Sequence, residues 1–354
     1  FCYLVDCGFN ASIINPIITH STKNGNIRKV KNDKIDSKGI AKLGLSKDIP
    51  VSQFPAKLVL ELRSLTRKYY DLTDERSAHI NKLKGDLHTV FPQYLDVFCD
   101  VTGKTSTMIL RQYGTPDKIL RGHKKTMIEK ISKASRKGLA KASERYEKLC
   151  AAANAAKTFG CQIDSIYFNI FLTLDLVEKL DSALDSILNR IRQLITFNKN
   201  EKFIQQIKLL NTIPGVGFLT AVTIMCEIGD FSAFRNPKQL FAYFGLDPEV
   251  NESGKFVGTQ LHMSKRGSRI ARRAIFAVAL ASIRTKRNGE GINPYLRKYY
   301  ELKSGQKPKM VAIGAVMHKV CNIVFAVLRD EKAFELRSPE EHCKQYQRPA
   351  LAAA

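Results

Sequence analysis

Residues 213–217 read Ile-Pro-Gly-Val-Gly, a pattern typical of the tight hairpin between two helices. Glycine permits the left-handed backbone and the close approach that such a hairpin needs. With no side chain in the way, its backbone N–H groups form a concavity that binds an anion. We therefore predict a helix-hairpin-helix element in which Gly215 and Gly217 contact a phosphate backbone.

Cations follow this hairpin along the chain. A polar loop at 251–255 and the segment 263–269 lead into Arg272 and Arg273, and no Asp or Glu occurs between Gly254 and Asn288. Exposed helices ordinarily carry charges of both signs, so this composition favours a nucleic-acid contact over a merely solvated face. Ser264 is also expected to cap the helix that follows it. The predicted phosphate contacts are Lys255, Ser264, Lys265, Arg266, Arg269, Arg272 and Arg273.

The whole chain shares this excess, with a formal net charge of +24 and a pI of about 9.7. Basic proteins gain affinity for nucleic acids by releasing counterions from phosphates. An anionic membrane would satisfy charge alone, but we find no signal peptide and no run of about 18 apolar residues. DNA or RNA is the expected partner, and a membrane is not. The eight scattered cysteines predict a cytoplasmic chain with reduced, buried thiols.

The 354 residues, 44% of them hydrophobic, are enough for two or three domains. Residues 1–52 alternate between α and β, with a short helix ending near Gly8, a strand at 11–16 and a helix from about Asp33 to Leu43. Residues 203–330 are predicted to be a compact helical domain, and 331–354 a polar tail. The expected fold class is therefore mainly α with a partial α/β part.

Residues 53–202 are predicted to be helical and partly coiled coil. A heptad pattern of apolar residues from Leu58, which Arg76 and His79 interrupt, predicts a long helix, and a second pattern runs from Ile170 to Leu194. The two helices can pair as an antiparallel coiled coil, within one chain or across a dimer, and a helix bundle explains the pattern nearly as well. The lysine-rich stretch 101–160 between them is expected to be a solvated face.

Two acids and one serine are candidates for chemistry. Asp33 and Asp36 stand at i and i+3 at a helix start, so both carboxylates can face one side and share a divalent cation. The same spacing is also a capping pattern, which the residues alone favour. Ser253, beside Gly254, has an exposed hydroxyl that can approach a phosphodiester, although most serines in this setting are turn residues.

Several motifs occur in a fixed order along the chain. They are Ile-Ile-Asn-Pro (13–16), Lys-Asn-Asp-Lys-Ile-Asp-Ser (31–37), Ile-Pro-Gly-Val-Gly (213–217), Leu-Phe-Ala-Tyr-Phe-Gly-Leu (240–246), Glu-Ser-Gly-Lys (252–255) and Met-Ser-Lys-Arg-Gly (263–267). This series resembles the bridge-RNA-guided insertion-sequence recombinases, which are transposases, over residues 1 to about 335. Each motif alone is weak, and the order is what makes the resemblance specific.

The resemblance implies a ribonuclease-H-like (RuvC-like) domain that holds Mg²⁺ with four acids, a coiled-coil insertion, and a helical domain whose serine attacks DNA. By motif alignment Asp33 and Asp36 match the last two acids, and Ser253 matches the nucleophile of a covalent phosphoserine intermediate. The other two acids have no counterpart, so we expect them upstream of Phe1 and expect this chain to be inactive alone. A structured guide RNA and a homo-oligomer, dimer or tetramer, are implied as well.

The leading hypothesis is therefore a DNA recombinase that uses Ser253 together with Mg²⁺ at Asp33 and Asp36. Two alternatives stay open. One is a non-catalytic nucleic-acid-binding protein built on helix-hairpin-helix and coiled-coil elements. The other is a metal-dependent junction nuclease in which water is the nucleophile and no covalent adduct forms.

Overall fold

The structure is a computed structural model that describes residues 3–4, 7–9, 33–45, 56–249, 252–253, 256–257, 262–338 and 340–341. The chain divides into two compact units, 1–57 and 58–354, and each is considered by itself. The described residues are mainly helical, which confirms the α character of the predicted fold class.

The first unit contains helix α1, Asp33–Gly44, which confirms the helix predicted over these residues. Gly8 has a positive φ of 83° in the turn after a short helical segment at 3–4. The predicted strand at 11–16 lies outside the described residues. The ribonuclease-H-like assignment of this unit stays a prediction.

The second unit contains a series of helices and one small hairpin of strands. In chain order they are α2 (Lys57–Val90), α3 (Tyr94–Val97), α4 (Lys104–Gln112), α5 (Pro116–Arg121), α6 (Lys124–Ser135), α7 (Leu139–Phe159), α8 (Asp164–Phe197), α9 (Lys202–Leu210), α10 (Phe218–Ile228), α11 (Pro237–Tyr243), β1 (Glu252–Ser253), β2 (Phe256–Val257), α12 (Arg269–Ser282), α13 (Pro294–Ser304) and α14 (Lys309–Asp330). A short 3₁₀ turn, Phe231–Ala233, precedes α11.

Helices α2 and α8 are the two longest described helices, each 34 residues long. The start of α2 and the end of α8 contribute Leu62 and Ile191 to one apolar cluster. The end of α2 and the start of α8 contribute Leu83 and Ile170 to another. The two helices therefore run antiparallel within one chain and connect two cores, while a coiled coil stays a prediction.

The long helix predicted from Leu58 is confirmed, and it continues through Arg76 and His79, where the apolar heptad pattern is interrupted. Arg76 donates hydrogen bonds to both carboxylate oxygens of Asp181 on α8. The arginine that interrupts the apolar pattern thus joins the two helices. Periodicity alone does not reveal this partner, since Asp181 lies 105 residues further along the chain.

The stretch 101–160 is more than a solvated face. Its short helices bury side chains such as Ile109, Met127 and Leu149, which together with Phe91 and Tyr94 build the second apolar cluster. The predicted cations of this stretch are exposed, as expected: Lys124, Lys125, Lys130, Lys133, Arg136, Lys137 and Lys141. The exposed cations therefore surround an apolar core that we did not predict from the lysine-rich composition.

Helix α14 forms the centre of the first cluster, with ten buried side chains. It is also long and apolar enough, by length and composition, to cross a membrane. His318, Lys319 and Asn322 interrupt its apolar residues, so it meets the test by average hydropathy and not as the uninterrupted run of about 18 apolar residues considered above. In this fold it is a core helix packed against α12 and α13.

The cysteines are less uniform than predicted. Cys226 and Cys321 are buried, whereas Cys7, Cys99 and Cys161 are exposed. All the cysteines that the structure describes have free thiols, in agreement with the expected reduced state.

Candidate nucleic-acid interface

The hairpin predicted from the Ile-Pro-Gly-Val-Gly motif lies between α9 and α10. Ile213 and Val216 are buried, and the N–H of Val216 donates to the Ile213 carbonyl at 2.9 Å to close the turn. Gly215 has a φ of +97°, a conformation that side chains disfavour. A Cβ on Gly215 would also lie 2.5 Å from Oγ of Ser282. Gly215 thus serves the packing of the hairpin against the end of α12.

Gly217 has a different role, at the start of α10. It is the N-cap residue in an extended conformation, with nothing within 4 Å of the position of a Cβ. Among the described residues no side chain caps the helix, and the N–H groups of Phe218, Leu219 and Thr220 have no hydrogen-bond acceptor. Such a helix end carries partial positive charge and attracts anions.

A further cation lies beside this helix end. The guanidinium of Arg192, on α8, lies 6.0 Å from the ring centroid of Phe218, the first residue of α10. A cation near a helix N-terminus is electrostatically unfavourable unless an anion joins them. Arg192 was missed in the sequence analysis because it is one more polar residue on the outer face of a heptad helix.

Residues 265–267, before α12, pack against the backbone at the end of α11. A Cβ on Gly267 would lie 2.2 Å from the carbonyl oxygen of Tyr243, so only glycine fits there. Lys265 adopts a left-handed φ of 53°, and its N–H donates to the carbonyl of Gly245 at 3.1 Å. Lys265 and Arg266 are exposed, which is compatible with their predicted contact with phosphate.

The predicted role of Ser264 as a helix cap is wrong. Ser268 is the N-cap of α12 and accepts a hydrogen bond from the N–H of Ala271 at 3.1 Å. The Ser264 hydroxyl instead donates to Oδ1 of Asp247 at 2.7 Å. Asp247 lies 17 residues earlier in the chain, so the sequence around Ser264 does not reveal this partner. A phosphate contact by Ser264 stays a prediction.

The three arginines of α12 are found in different settings. Arg269 is 83% exposed and lies 3.8 Å from Asp74, whereas Arg273 approaches Asp74 at 2.8 Å. Arg273 also stacks on Tyr70, with its guanidinium 4.8 Å from the ring centroid. These contacts tie α12 to α2. A phosphate contact stays a prediction for both, and Arg269 is the freer of the two.

Arg272 has inward-directed hydrogen bonds. One of its terminal nitrogens, Nη1, donates to the carbonyls of Phe244, Lys265 and Gly267 at 3.0–3.2 Å. Burial, followed by the charge of Arg269, lowers the pKa of the guanidinium. The three hydrogen bonds favour a structural role, in which Arg272 fixes the loop that carries Lys265 and Arg266.

The buried carboxylate of Glu227 accepts hydrogen bonds that hold the N-terminus of α12 in place. The side chain of Glu227, at the end of α10, is only 2% exposed, and Arg67 on α2 donates to both its oxygens at 2.9 Å. Ser268 donates to Oε2 at 2.6 Å. Burial raises the pKa of Glu227, but the hydrogen bonds from Arg67 and Ser268 and the charges of Arg67 and Arg63 outweigh it, so the pKa is lowered. The network joins α2, α10 and α12.

Ser253 lies at the end of β1, where it pairs with Phe256 of β2 in an antiparallel register. The side chain of Ser253 and the whole of Lys255 lie outside what the structure describes. Asp33 and Asp36 belong to the first turn of α1, and their side chains are likewise outside the description. Two carboxylates one helical turn apart fit the oxygen chemistry that Mg²⁺ prefers. Among the described residues no group of three His, Cys, Asp or Glu could hold a metal.

Two family models match the chain at separate places. One, described as the transposase IS116/IS110/IS902 family, matches residues 207–301, from α9 into α13 and including the hairpin. The other, a DEDD-type IS110 transposase model, matches residues 1–92. Each match covers about a quarter of the chain, and the DEDD-type match precedes the match that contains the hairpin. The chain is thus similar to these transposases in two separate stretches.

Curated proteins of insertion elements and a gene-inverting protein also resemble the chain. The insertion element IS110 uncharacterized 43.6 kDa protein of Streptomyces coelicolor is 23% identical over 286 residues, which are 80% of this chain and 66% of that protein. The pilin gene-inverting protein of Moraxella bovis is 30% identical over 50% of this chain and 52% of its own length. The transposase for insertion sequence element IS1111A of Coxiella burnetii is 26% identical over 51% of this chain and 50% of its own. The chain therefore spans between half and two thirds of the length of these relatives.

The DEDD-type match corrects one prediction. A transposase domain of this type suggests a metal-dependent nuclease, which contradicts the assignment of Ser253 as the attacking nucleophile. The divalent metal expected from the sequence agrees with the domain type. Ser253 is therefore not carried forward as the attacking group.

Proposed function

We propose that the chain acts in an insertion-sequence transposase, which grips duplex DNA through the hairpin at 213–217 and cuts it by metal-dependent chemistry. Asp33 and Asp36 are proposed as metal ligands, and water as the attacking group. The observation that carries the DNA contact is the uncapped N-terminus of α10 beside Arg192, within the segment that matches the transposase family.

The electrostatics of this helix end support a phosphate as the ligand. Both the helix end and Arg192 are positive, and the first turn of α10 contains no acid that would offset them. An anion near a helix N-terminus gains about 0.3–1 kcal/mol, and a phosphate accepts hydrogen bonds from the free N–H groups as well. A phosphodiester backbone supplies both the charge and the acceptors without any sequence preference.

The cutting step is assigned to the first unit. Asp33 and Asp36 would supply two carboxylates of the ligand set, and Mg²⁺ bound there would polarise the scissile phosphate. Ionised carboxylates are required for this role, so replacing either by the isosteric amide should weaken metal binding while leaving α1 intact. In this proposal the hairpin at 213–217 binds DNA, and Asp33 and Asp36 hold the metal that cleavage needs.

A nicking assay tests both tasks. Supercoiled plasmid is incubated with the protein, expressed with any residues its gene encodes upstream of Phe1, in Mg²⁺ or in chelator. We expect nicking that requires Mg²⁺, is lost in Asp33→Asn and Asp36→Asn, and persists in Ser253→Ala and in the matched control Glu75→Gln. Glu75 is an exposed acid on α2.

Denaturing gels of the same reactions decide between mechanisms. Water as the attacking group predicts free DNA ends and no covalent adduct. A detergent-resistant protein–DNA adduct that disappears in Ser253→Ala would overturn the proposed mechanism. Duplex binding without nicking in any variant would instead favour the non-catalytic alternative.

The guide RNA and the homo-oligomer stay predictions that rest on the resemblance alone. In the guided version of the proposal, a structured RNA bound by the protein selects the target through base pairing. Purification with and without ribonuclease tests this version, since a bound RNA changes the absorbance ratio and the eluted size. Unchanged nicking and elution after ribonuclease treatment would contradict it.

A further inference from the structure

The segment after α12 forms a second hairpin, residues 284–292, which we term the basic hairpin. Thr285 and Gly291 form an antiparallel bridge. The N–H of Lys286 donates to the carbonyl of Glu290 at 2.7 Å, and that of Ile292 to the carbonyl of Arg284 at 2.8 Å. The basic hairpin is therefore an ordered element with a hydrogen-bonded stem.

Its base is joined to the hairpin at 213–217. The hydroxyl of Ser282 donates to the carbonyl of Pro214 at 2.9 Å, and the N–H of Asn293 donates to the carbonyl of Ser282 at 3.0 Å. Arg297 adds a hydrogen bond to the carbonyl of Ile283 at 3.0 Å. The missing Cβ of Gly215 lets Ser282 approach this closely. One residue, Ser282, thus holds both hairpins together.

Two cations of the basic hairpin have no acidic partner among the described residues. Arg284 and Arg287 are exposed, and neither has an acidic partner within 4 Å in the part of the chain that the structure describes. Lys286 lies 3.8 Å from Glu290, a long separation for an ion pair. In contrast, Arg297 at the base is paired with Glu301 at 2.8 Å. Arg284 and Arg287 therefore present positive charge to solvent.

We propose that the basic hairpin is a second DNA-backbone contact, through Arg284 and Arg287, and that it binds the same duplex as the hairpin at 213–217. This inference rests on the proposed function. Arg287 follows Ile283 by four residues, so an extended chain carries it at most about 13 Å away. The major groove of a duplex is about 12 Å wide, so both hairpins lie close enough together to reach phosphates of one duplex.

The test is the salt dependence of duplex binding, measured by fluorescence anisotropy on a labelled duplex of about two helical turns of mixed sequence. The variant Arg284→Gln/Arg287→Gln is compared with Arg235→Gln/Lys238→Gln. The control removes the same charge from exposed positions before and within α11. Log affinity falls linearly with log salt, and we call the magnitude of this negative slope the salt slope. Each lost phosphate contact lowers the salt slope by about 0.9.

We expect the slope to fall by about two in the Arg284/Arg287 variant and affinity at about 0.1 M salt to fall tenfold or more, with little change in the control. Equal losses in both variants would overturn the inference, because net charge rather than position would then be responsible. Stronger competition by single-stranded RNA of the same length than by unlabelled duplex would also overturn it. Absence of any duplex binding by the unaltered protein would refute the proposed function itself.

Discussion

Two arginines near the N-terminus of helix α12 donate hydrogen bonds within the fold, whereas two beyond its C-terminus are exposed to solvent. On the side of its N-terminus, Arg67 and Arg272 direct their guanidinium groups inward, to the Glu227 carboxylate and to three backbone carbonyls. Beyond its C-terminus, Arg284 and Arg287 stand on an ordered hairpin and have no acidic partner among the described residues. The inner set holds helices and a loop in place, whereas the outer set is available to a ligand.

This contrast shows that a net charge of +24 does not measure the binding surface directly. Part of the positive charge satisfies hydrogen-bond acceptors inside the fold, and removing it should lower the unfolding free energy rather than weaken DNA binding directly. Other cations, such as Arg284 and Arg287, have no acidic partner among the described residues, and removing them should weaken binding at constant stability. Four predictions separate the two sets.

The largest effect is expected for Arg67→Ala. Glu227 would be left buried without its bidentate partner, and breaking such a pair costs about 3 kcal/mol of unfolding free energy. Urea unfolding followed by circular dichroism measures it. The double variant Arg67→Ala/Glu227→Gln should recover part of the loss, because no buried charge is left unpaired. A loss in the double variant as large as the sum of both single losses would contradict the pairing.

A smaller loss is expected for Arg272→Gln. The carbonyls of Phe244, Lys265 and Gly267 lose a charged donor, which we expect to cost about 2 kcal/mol. Hydrogen exchange should accelerate in residues 245–267 and stay unchanged in α14. Arg269→Gln on the exposed face of the same helix is the matched control. Equal exchange in both variants would show that Arg272 does not fix the loop.

The pH dependence of stability provides a third prediction. Because the folded-state pKa of Glu227 is lowered, its ionised form stabilises the protein above its ordinary value near 4.5, and this contribution is lost as pH falls through the lower folded value. Unfolding free energies of the unaltered protein and of Glu227→Gln should therefore differ at pH 7 and converge in acid. A difference that grows as pH falls would have the wrong sign.

The smallest effect on stability is expected for Arg284→Gln/Arg287→Gln. Exposed side chains without partners contribute little, and the unfolding free energy should change by less than about 0.5 kcal/mol. The same urea titration measures it. A loss comparable to that of Arg272→Gln would mean that these arginines are structural after all.

The sequence was sufficient to predict the elements whose signal is local. Helices α1, α2 and α8 follow from capping and from apolar periodicity, and the hairpin at 213–217 follows from its glycines. Contacts between distant residues were not predictable in this way. Asp181 accepts hydrogen bonds from Arg76 on α2, and Asp247 accepts the hydrogen bond of the Ser264 hydroxyl, which we expected to cap a helix.

The second core was hidden for a related reason. The buried residues of 94–159 are spread over short helices and lie between exposed lysines, so no single period stands out. Within the candidate interface, Gly217 could be identified from sequence, but Arg192 could not. Its importance depends on α8 passing beside the first turn of α10, which is a property of the tertiary fold.

The most direct test of this division compares two single variants of equal charge change, Arg272→Gln and Arg284→Gln, in duplex binding at a series of salt concentrations. Under conditions where both remain folded, the account predicts that the salt slope falls by about one for Arg284→Gln and stays unchanged for Arg272→Gln. A slope that falls for Arg272→Gln and is unchanged for Arg284→Gln would contradict it.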